Sequence, residues 1–386
     1  YGAEMNPCGL YEAIDRTAEA IGWGRPPAPS GPGKAVGQGF SLFWKAPAMP
    51  PNAASSAFLK FNEDGSLNIL VSGMEIGQGF LTAMAQVAAE VLTVPVHKIR
   101  VETPDTDRNA YEWQTVGSHV TWGCGNAVKL AALEARDKIF EVVHRVHCLA
   151  KDDLYLEEEQ VKCRTLPDFA LPLRKFVITG LQTHDGSFRG GPILASGMFM
   201  PEFTSANSNP ETSQGGHPNV HYTVGAAGVN VEVDRETGKV RILKAVLAVD
   251  AGKAINPDLV RGQVVGGLVQ GFATVLYEDM RFDEKGRLLN PNFTDYKIPT
   301  ALDIPDEIVP IIVETPQPDG PFGARGVGEH TMIPAAPLIA NAVEQALGIR
   351  IKSMPLTAEK IALAVQGITP EAQPGTHPLA CKQRPL

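Results

Sequence analysis

The chain has 386 residues, of which 44% are hydrophobic and 20% are charged, and its formal net charge is −9 at pH 7. This composition is that of a globular protein, and the acidic balance argues against nucleic acid or an anionic membrane surface as a partner. No uninterrupted apolar run approaches the 18 residues typical of a membrane-spanning helix, so the sequence predicts no membrane segment.

The first 56 residues are predicted to form an extended N-terminal segment that lies in an interface. Prolines and glycines are concentrated at 26–35 and 46–53. Such stretches form extended connections over a protein surface.

Residues 57–92 have the order strand, turn, strand, glycine-containing loop and helix. Two apolar segments, at 58–61 and 67–71, flank a short polar turn and predict a hairpin. The loop Gly73–Gly79 follows directly. Apolar residues spaced by three and four positions then predict a helix that ends before Pro95.

The same order occurs again further along the chain. Strands predicted at 229–233 and 240–243 form a second hairpin, followed by a helix that begins at Pro257 and ends near Tyr277. This partial repetition favours an α+β fold with two similar hairpin-and-helix subdomains. The predicted division is an N-terminal segment, two subdomains and a tail, at 1–56, 57–228, 229–367 and 368–386.

Further elements follow from periodicity and turn residues. They are a strand at 99–102, a helix at 126–149, a hairpin with strands at 280–282 and 287–289, an edge strand at 308–313, and helices at 335–347 and 357–365. No element is assigned to 150–215.

Three places could carry chemistry, and each alone is also typical of an ordinary structural feature. Gly77, Gln78 and Gly79 precede a helix, where open backbone N–H groups can bind an anion or simply form a turn. Small polar residues at 115–121 suit a phosphate or a plain helix cap. Glu329, on a loop that begins Gly326-Val327-Gly328, could be a general base or a solvated surface residue.

The helix that begins at Pro257 contains Gln263 and several glycines. The interior glycines are Gly262, Gly266, Gly267 and Gly271. Each costs about 1 kcal/mol relative to alanine in a helix interior. Their number therefore predicts close packing against a neighbouring backbone or a ligand.

The histidines and cysteines give no strong metal signal. Two groups have metal-like spacing, namely His144 and His147 with Cys148, and His217 with His221. No third ligand has a supporting spacing, so packed or solvated histidines are favoured. The five cysteines include no C-x-x-C pair, which argues against a zinc or iron–sulfur site in this chain and favours the reducing cytoplasm.

Taken in chain order, these runs resemble the xanthine dehydrogenase/aldehyde oxidoreductase family of molybdenum hydroxylases. The resemblance is to the C-terminal half of the molybdopterin-binding subunit and covers roughly residues 30–365. The matching runs are 73–79, 115–121 with 125–128, 250–252 with 255–257, 262–263, 295–299 and 326–329.

The resemblance implies a role for each matching position. Glu329 would be the general base beside molybdenum, in a closed apolar pocket. The residues that would bind the molybdopterin cofactor, in its simple or dinucleotide form, are Gly77, Gln78, Gly79, Gly117, Ser118, Thr121 and Gln263. Ser118 and Thr121 would contact its phosphate or nucleotide end. The pterin's dithiolene sulfurs would hold the metal, so no protein metal ligand is predicted.

The resemblance also implies an enzyme that acts within a complex. The first half of the family's molybdenum subunit has no counterpart in this chain. Either a separate chain carrying that half is expected as a partner, or this chain is part of a longer polypeptide. An iron–sulfur subunit and an FAD subunit would receive the electrons. The expected reaction is hydroxylation of an N-heterocycle, a purine or a nicotinate-like acid, with water as the oxygen source. An aldehyde oxidoreductase and a non-catalytic assembly subunit are the alternatives.

Three residues depart from the family's pattern. They are His119, Arg325 and His330. All three are expected at the rim of the pocket.

Overall fold

The computed structural model describes residues 5–368 except 51, 103, 202–208, 210, 213–214 and 217–218. The helices are α1 (Leu10–Ile21), α2 (Phe80–Leu92), α3 (Val120–His147), α4 (Pro257–Leu276), α5 (Ala335–Leu347) and α6 (Ala358–Val365). The strands are β1 (Lys34–Lys45), β2 (Ser55–Phe61), β3 (Leu67–Val71), β4 (Ile99–Glu102), β5 (Leu154–Glu157), β6 (Gln160–Cys163), β7 (Leu166–Pro172), β8 (Leu181–Gln182), β9 (Phe188–Arg189), β10 (Leu194–Phe199), β11 (Thr223–Asp234), β12 (Val240–Asp250) and β13 (Ile308–Val313).

One four-stranded sheet has the order β10-β2-β3-β4. The first two pairings are antiparallel, whereas β3 and β4 are parallel and are connected through α2. Alternate residues of β2 and β3, such as Leu59 and Ile69, are buried and pack with apolar residues of α2 and α3. The period of two that predicted this hairpin therefore marks the face that the helices cover.

The second four-stranded sheet has the order β1-β11-β12-β13. Again the first two pairings are antiparallel and the last is parallel, here with α4 as the connection. The two sheets thus share one pattern of strand pairing, which confirms the predicted α+β fold with two similar hairpin-and-helix units. In the first unit the outer antiparallel strand, β10, comes last in the chain, whereas in the second it is β1 and comes first. The predicted subdomain boundaries stay predictions.

The first 56 residues are not an extended segment throughout. They contain α1 and β1, and β1 pairs with β11 from Lys34 to Lys45. The strand pattern was missed because glycines replace side chains on its helix-facing side. A Cβ at Gly37 or Gly39 would lie 2.0 Å from a backbone oxygen of α5, so α5 can pack this closely only where side chains are absent.

Most other elements agree with the sequence, with three differences. The strand β13 is an edge strand as predicted, and Thr357 caps α6 through its side chain. However, α3 begins at Val120, earlier than predicted. The third hairpin is reduced to a turn with one bridge, Phe282 to Leu288, because its apolar side chains are exposed and have no core to cover. Residues 150–215, to which no element was assigned, contain β5 to β10. The predicted tail lies outside the described residues from 369 onward.

The helix α4 is long and apolar enough to cross a membrane by length and composition alone, and 39% of its most apolar window is buried within this chain. A core helix passes the same test. Val264, Leu268 and Phe272 of α4 are buried in the core of the second unit. The sequence predicted this helix but no membrane segment, because charged and amide side chains, such as Arg261 and Gln270, interrupt its apolar run.

Candidate functional site

Four loops that each lead into a helix meet at a cavity of about 410 Å³. Two are the loops before the connecting helices α2 and α4, and two are the loops before α3 and α5. Because the two units share one pattern of strand pairing, these loops are equivalent in pairs, and the cavity lies where the units face each other. The loop residues that line it are 76–79, 115–116, 118–119, 251, 253–256 and 325–329.

The fold brings most of the predicted site residues to this one cavity. Glu329 lines it together with Gly77, Gln78, Gly79, Ser118, Thr121 and Gln263. Gly117 lies behind the wall, where its carbonyl oxygen accepts a hydrogen bond from Lys45 Nζ at 2.5 Å. The cofactor-binding roles of these residues stay predictions.

A carboxylate of the chain itself fills the anion site predicted at the loop before α2. Glu75 accepts hydrogen bonds from the backbone N–H groups of Gly77 and Gly79, both at 2.9 Å, and of Leu81 at 3.1 Å. The Gln78 amide bonds to its own loop, donating to the Met74 carbonyl oxygen at 2.8 Å. A phosphate at this turn would therefore compete with Glu75.

The glycine loop that carries Glu329 is pressed against the turn before α3. A Cβ at Gly326 would lie 1.4 Å from the carbonyl oxygen of Ser118. Ser118 itself has a positive φ of 58°, which is uncommon for a residue with a side chain. Its Oγ accepts a hydrogen bond from the Glu329 N–H at 2.9 Å. The Ser118 turn thus sets the position of the Glu329 backbone.

The Glu329 carboxylate is paired with Lys45, a residue that sequence reasoning did not select. The distance from Lys45 Nζ to Glu329 Oε2 is 2.6 Å, and the exposed fractions of the two side chains are 18% and 50%. The closed apolar pocket predicted around Glu329 is therefore not what surrounds it in this chain. Glu329 and Met332 also line a second, shallow groove on the other side, together with Lys45, Thr274, Ile333, Ala335 and Ala336.

The three residues that depart from the family's pattern do not form a rim, because all are buried. His119, Arg325 and His330 are 2%, 2% and 0% exposed. The His330 Nδ1–H donates to the Val327 carbonyl oxygen at 2.8 Å, and burial lowers the pKa of His330 to about 4. Burial likewise lowers the pKa of His119. The side chains of His119, Arg325 and His330 therefore lie inside the protein, beneath the loops that line the cavity.

A buried polar cluster under the loop before α3 also escaped sequence reasoning. The Cys124 thiol donates to Glu112 Oε2 at 2.9 Å, and Glu112 Oε1 lies 3.8 Å from His119 Nε2. Burial raises the pKa of Glu112 and, together with the neighbouring carboxylate, raises the pKa of Cys124 well above its usual value. Glu112 and Cys124 are only 12 positions apart, but the loop before α3 must fold back against the start of that helix to bring them together, and periodicity does not predict such a fold.

The glycines of α4 divide into two kinds. A Cβ at Gly267 would lie 1.8 Å from Thr331 Oγ1, and one at Gly271 would lie 2.6 Å from the Ala335 Cβ. The prediction of close packing is confirmed for these two. Gly266 instead lines the cavity, and among the described residues no atom beyond its own stretch of helix lies within 4 Å of its Cβ position.

The histidine and cysteine groups considered as metal ligands do not assemble. Among the described residues, no group of three His, Cys, Asp or Glu side chains could hold a metal ion. His144 Nδ1 donates to the Leu149 carbonyl oxygen, and the His147 ring packs edge-on against Phe169. His217 lies outside the described residues, and its proposed partner His221 is buried.

Two similar units enclose a cavity with glycines in its walls, and comparison with known proteins establishes the family of the chain. Residues 16–305 match the family described as the molybdopterin cofactor-binding domain, and the chain belongs to this family.

Curated relatives are longer than this chain. It is 31% identical over 353 residues to the large subunit of nicotine 6-hydroxylase from Paenarthrobacter nicotinovorans, a match that covers 87% of the chain and 41% of that protein. It is 32% identical over 311 residues to a putative xanthine dehydrogenase molybdenum-binding subunit from Escherichia coli K12, covering 80% and 39%. The chain therefore spans well under half the length of these relatives.

Solved structures share the fold. The carbon monoxide dehydrogenase from Oligotropha carboxidovorans superposes with a TM-score of 0.80 at 24% identity, covering 95% of this chain and 46% of that one. Quinoline 2-oxidoreductase from Pseudomonas putida 86 superposes with a TM-score of 0.74 at 27% identity, covering 92% and 44%.

The residues at the cavity fit a molybdopterin cofactor. A Cβ at Gly328 would stand 3.2 Å from Ser118 Oγ and 3.3 Å from Gln263 Oε1, so the absence of a side chain leaves this hydroxyl and this amide uncovered at the wall. Gly266 leaves open space on α4. Because molybdopterin supplies the sulfur ligands of the metal itself, the protein has to provide only space, hydrogen-bond donors and hydrogen-bond acceptors.

Proposed function

We propose that this chain is the C-terminal, cofactor-binding part of the molybdenum subunit of a hydroxylase for N-heterocycles. One observation carries the proposal: Glu329 lines both the cavity and the shallow groove beside it. With a cofactor in the cavity and a substrate ring in the groove, this carboxylate would lie between them. The apolar side chains of the groove, such as Ile333 and Ala336, suit the face of an aromatic ring.

Each predicted residue has a task in this proposal. Gly77, Gln78, Gly79 and Gln263 contact the pterin, and Gly117, Ser118 and Thr121 contact its phosphate or nucleotide end. When bound, the cofactor supplies a molybdenum centre that accepts two electrons from the substrate. The Glu329 carboxylate accepts the proton of the water-derived nucleophile. The Lys45 ammonium holds this carboxylate, and the Ser118 hydroxyl accepts a hydrogen bond from the Glu329 backbone N–H.

The proposed enzyme works in the cytoplasm as a complex. A chain or segment that carries the other half of the molybdenum subunit completes the site, since the relatives are more than twice as long. An iron–sulfur subunit and an FAD subunit receive the electrons.

The names of relatives favour an N-heterocyclic substrate such as a purine or a nicotinate-like acid. They include a nicotine hydroxylase, a xanthine dehydrogenase subunit and a quinoline oxidoreductase. An aldehyde is the second candidate, because the fold also resembles the aldehyde oxidoreductase from Desulfovibrio desulfuricans, with a TM-score of 0.67 at 25% identity.

The test compares the natively purified complex with a Glu329→Gln variant. We expect molybdenum and pterin in both, activity on purines or nicotinate in the wild type, and a kcat/KM about 10²–10⁴-fold lower in the variant. Glu159→Gln is the matched control, because Glu159 also pairs with a lysine, Lys98 at 2.8 Å, away from the cavity.

Two results would contradict the proposal. A wild-type complex without molybdenum would favour a non-catalytic assembly subunit. A Glu329→Gln variant with the kcat/KM of the wild type would exclude this carboxylate as the base. Activity on aldehydes alone would support the hydroxylase assignment but would change the proposed substrate class from N-heterocycles to aldehydes.

A further inference from the structure

Lys45 contacts the candidate catalytic carboxylate from the end of β1. Its Nζ lies 2.6 Å from Glu329 Oε2 and donates to the Gly117 carbonyl oxygen at 2.5 Å. Its side chain is only 18% exposed, so it is not the freely moving lysine of most surface ion pairs. A lysine held by two acceptors at once has a fixed position.

The same turn holds both ends of Glu329. Gly117 fixes Lys45, which holds the carboxylate, and Ser118 Oγ accepts from the Glu329 backbone N–H at 2.9 Å. The turn that contains Gly117 and Ser118 also packs on the segment after β1, since a Cβ at Gly117 would lie 3.5 Å from the Pro47 Cβ. β1 is itself paired with β11 up to Lys45. A continuous set of contacts therefore runs from the second sheet to the Glu329 side chain.

Among the cationic groups near Glu329, Lys45 is the one that pairs with its carboxylate. Two other cationic residues occur in the cavity loops, Lys253 and Arg325, and their side chains pair with carboxylates of their own, Glu314 and Asp250. The nearby His119 and His330 are buried, and burial disfavours their charged form. Within the described part of the chain, Glu329 Oε1 makes no hydrogen bond, whereas Oε2 is held by Lys45.

We propose that Lys45 is a positioning residue for Glu329. By holding Oε2, it turns Oε1 toward the space between cavity and groove, where that oxygen accepts the proton. The inference rests on the proposed role of Glu329 as the general base. It adds that this role depends on a residue from a strand far away in the sequence.

The first test uses variants of the cofactor-loaded complex. Lys45→Met removes the ammonium, and we expect kcat/KM to fall about 10- to 100-fold, since a misplacement of about 1 Å can cost 10²-fold. Lys45→Arg keeps a charged donor and should recover most of this loss. In the Glu329→Gln background Lys45→Met should cause no further loss, because a residue that acts through another has no effect once that other is gone. Lys98→Met is the matched control and should retain wild-type activity.

A second readout does not depend on activity. Acetic anhydride labelling of the intact complex, quantified by mass spectrometry, should modify Lys45 several-fold faster in Glu329→Gln than in wild type, because the ion pair protects the amine. Lys98 should react at equal rates in both.

The outcomes separate the two proposals. Wild-type activity in Lys45→Met, or a further loss when it is added to Glu329→Gln, would overturn the positioning role while leaving Glu329 as the base. An equal labelling rate for Lys45 in both proteins would overturn it as well. Full activity in Glu329→Gln would instead overturn the proposed function, and the positioning role with it. If the Lys45→Met complex lost its molybdenum, the activity of the Lys45→Arg complex and the labelling rates of Lys45 would still test the positioning role.

Discussion

Arg325 Nη1 and Asp250 Oδ2 form an ion pair 3.1 Å long in which both side chains are completely buried. Every donor of the guanidinium group faces an acceptor, and the carboxylate accepts further N–H groups. The additional partners of the pair are Gln317 Oε1, the carbonyl oxygens of Pro7, Thr315 and Tyr222, and the N–H groups of Gly9, Gly252 and Thr315. The pair therefore connects the N-terminal segment, the end of β12 and the loop that carries Glu329.

Loss of this pair should be strongly destabilising. In Arg325→Met the Asp250 carboxylate would remain buried without its counter-charge, and breaking a buried pair in this way costs about 3–5 kcal/mol. Denaturant titration of the purified protein measures the change in the free energy of unfolding.

Arg350→Met is the matched control for that experiment. Arg350 pairs with Glu344 at a surface where the two side chains are 44% and 43% exposed. Exposed pairs contribute about 0–1 kcal/mol, so equal losses in the two variants would contradict the structural role assigned to the buried pair.

Alanine substitutions at two glycines should have opposite effects. In Gly326→Ala the new Cβ would lie 1.4 Å from the Ser118 carbonyl oxygen, so the loop must move and Glu329 with it. We expect a lower melting temperature and a loss of cofactor or of activity. In Gly262→Ala, within α4, the Cβ would lie more than 4 Å from every atom that the structure describes outside its own stretch of helix.

The helix should gain from the second substitution, because alanine is favoured over glycine in a helix interior by about 1 kcal/mol. Thermal unfolding of the Gly326→Ala and Gly262→Ala variants measures both effects. A Gly326→Ala protein as stable and as active as Gly262→Ala would show that the two loops are not pressed together as described.

Stability should fall in acid partly through His330. Burial lowers its pKa to about 4 from an ordinary value of 6.5, so between these values the unfolded chain binds the proton and the folded chain does not. The free energy of unfolding should therefore decrease as the pH falls from about 6.5 to about 4, with a slope of up to about 1.4 kcal/mol per pH unit from this residue. Above that window His330 contributes no pH dependence.

His330→Asn tests this assignment. The Asn amide can donate to the Val327 carbonyl oxygen in place of the His330 Nδ1–H, which donates at 2.8 Å, but it does not titrate. Denaturant titrations at pH 7 and pH 5 should show a smaller acid-induced loss in the variant than in wild type. Equal losses would assign the acid sensitivity to other groups, such as the buried His221.

Local patterns in the sequence predicted much of the fold. The hairpins β2–β3 and β11–β12 and the helices α2, α4 and α5 follow from periodicity, turn residues and caps, all of which act over a few neighbouring residues. The strand β1 was missed for a physical reason. Its glycines at 37 and 39 meet the α5 backbone, and a requirement for close approach between distant segments leaves no periodic pattern.

The sequence by itself determined the family, the α+β class and the choice of Glu329 as a candidate base, because short runs of defined composition carry that information. Only the tertiary structure decided that Glu329 is half-exposed and paired with Lys45, that Glu75 fills the turn before α2, and that Arg325 is buried against Asp250. Such partners are set by which strands pair and which loops meet. Those are long-range choices, and neither spacing nor composition records them.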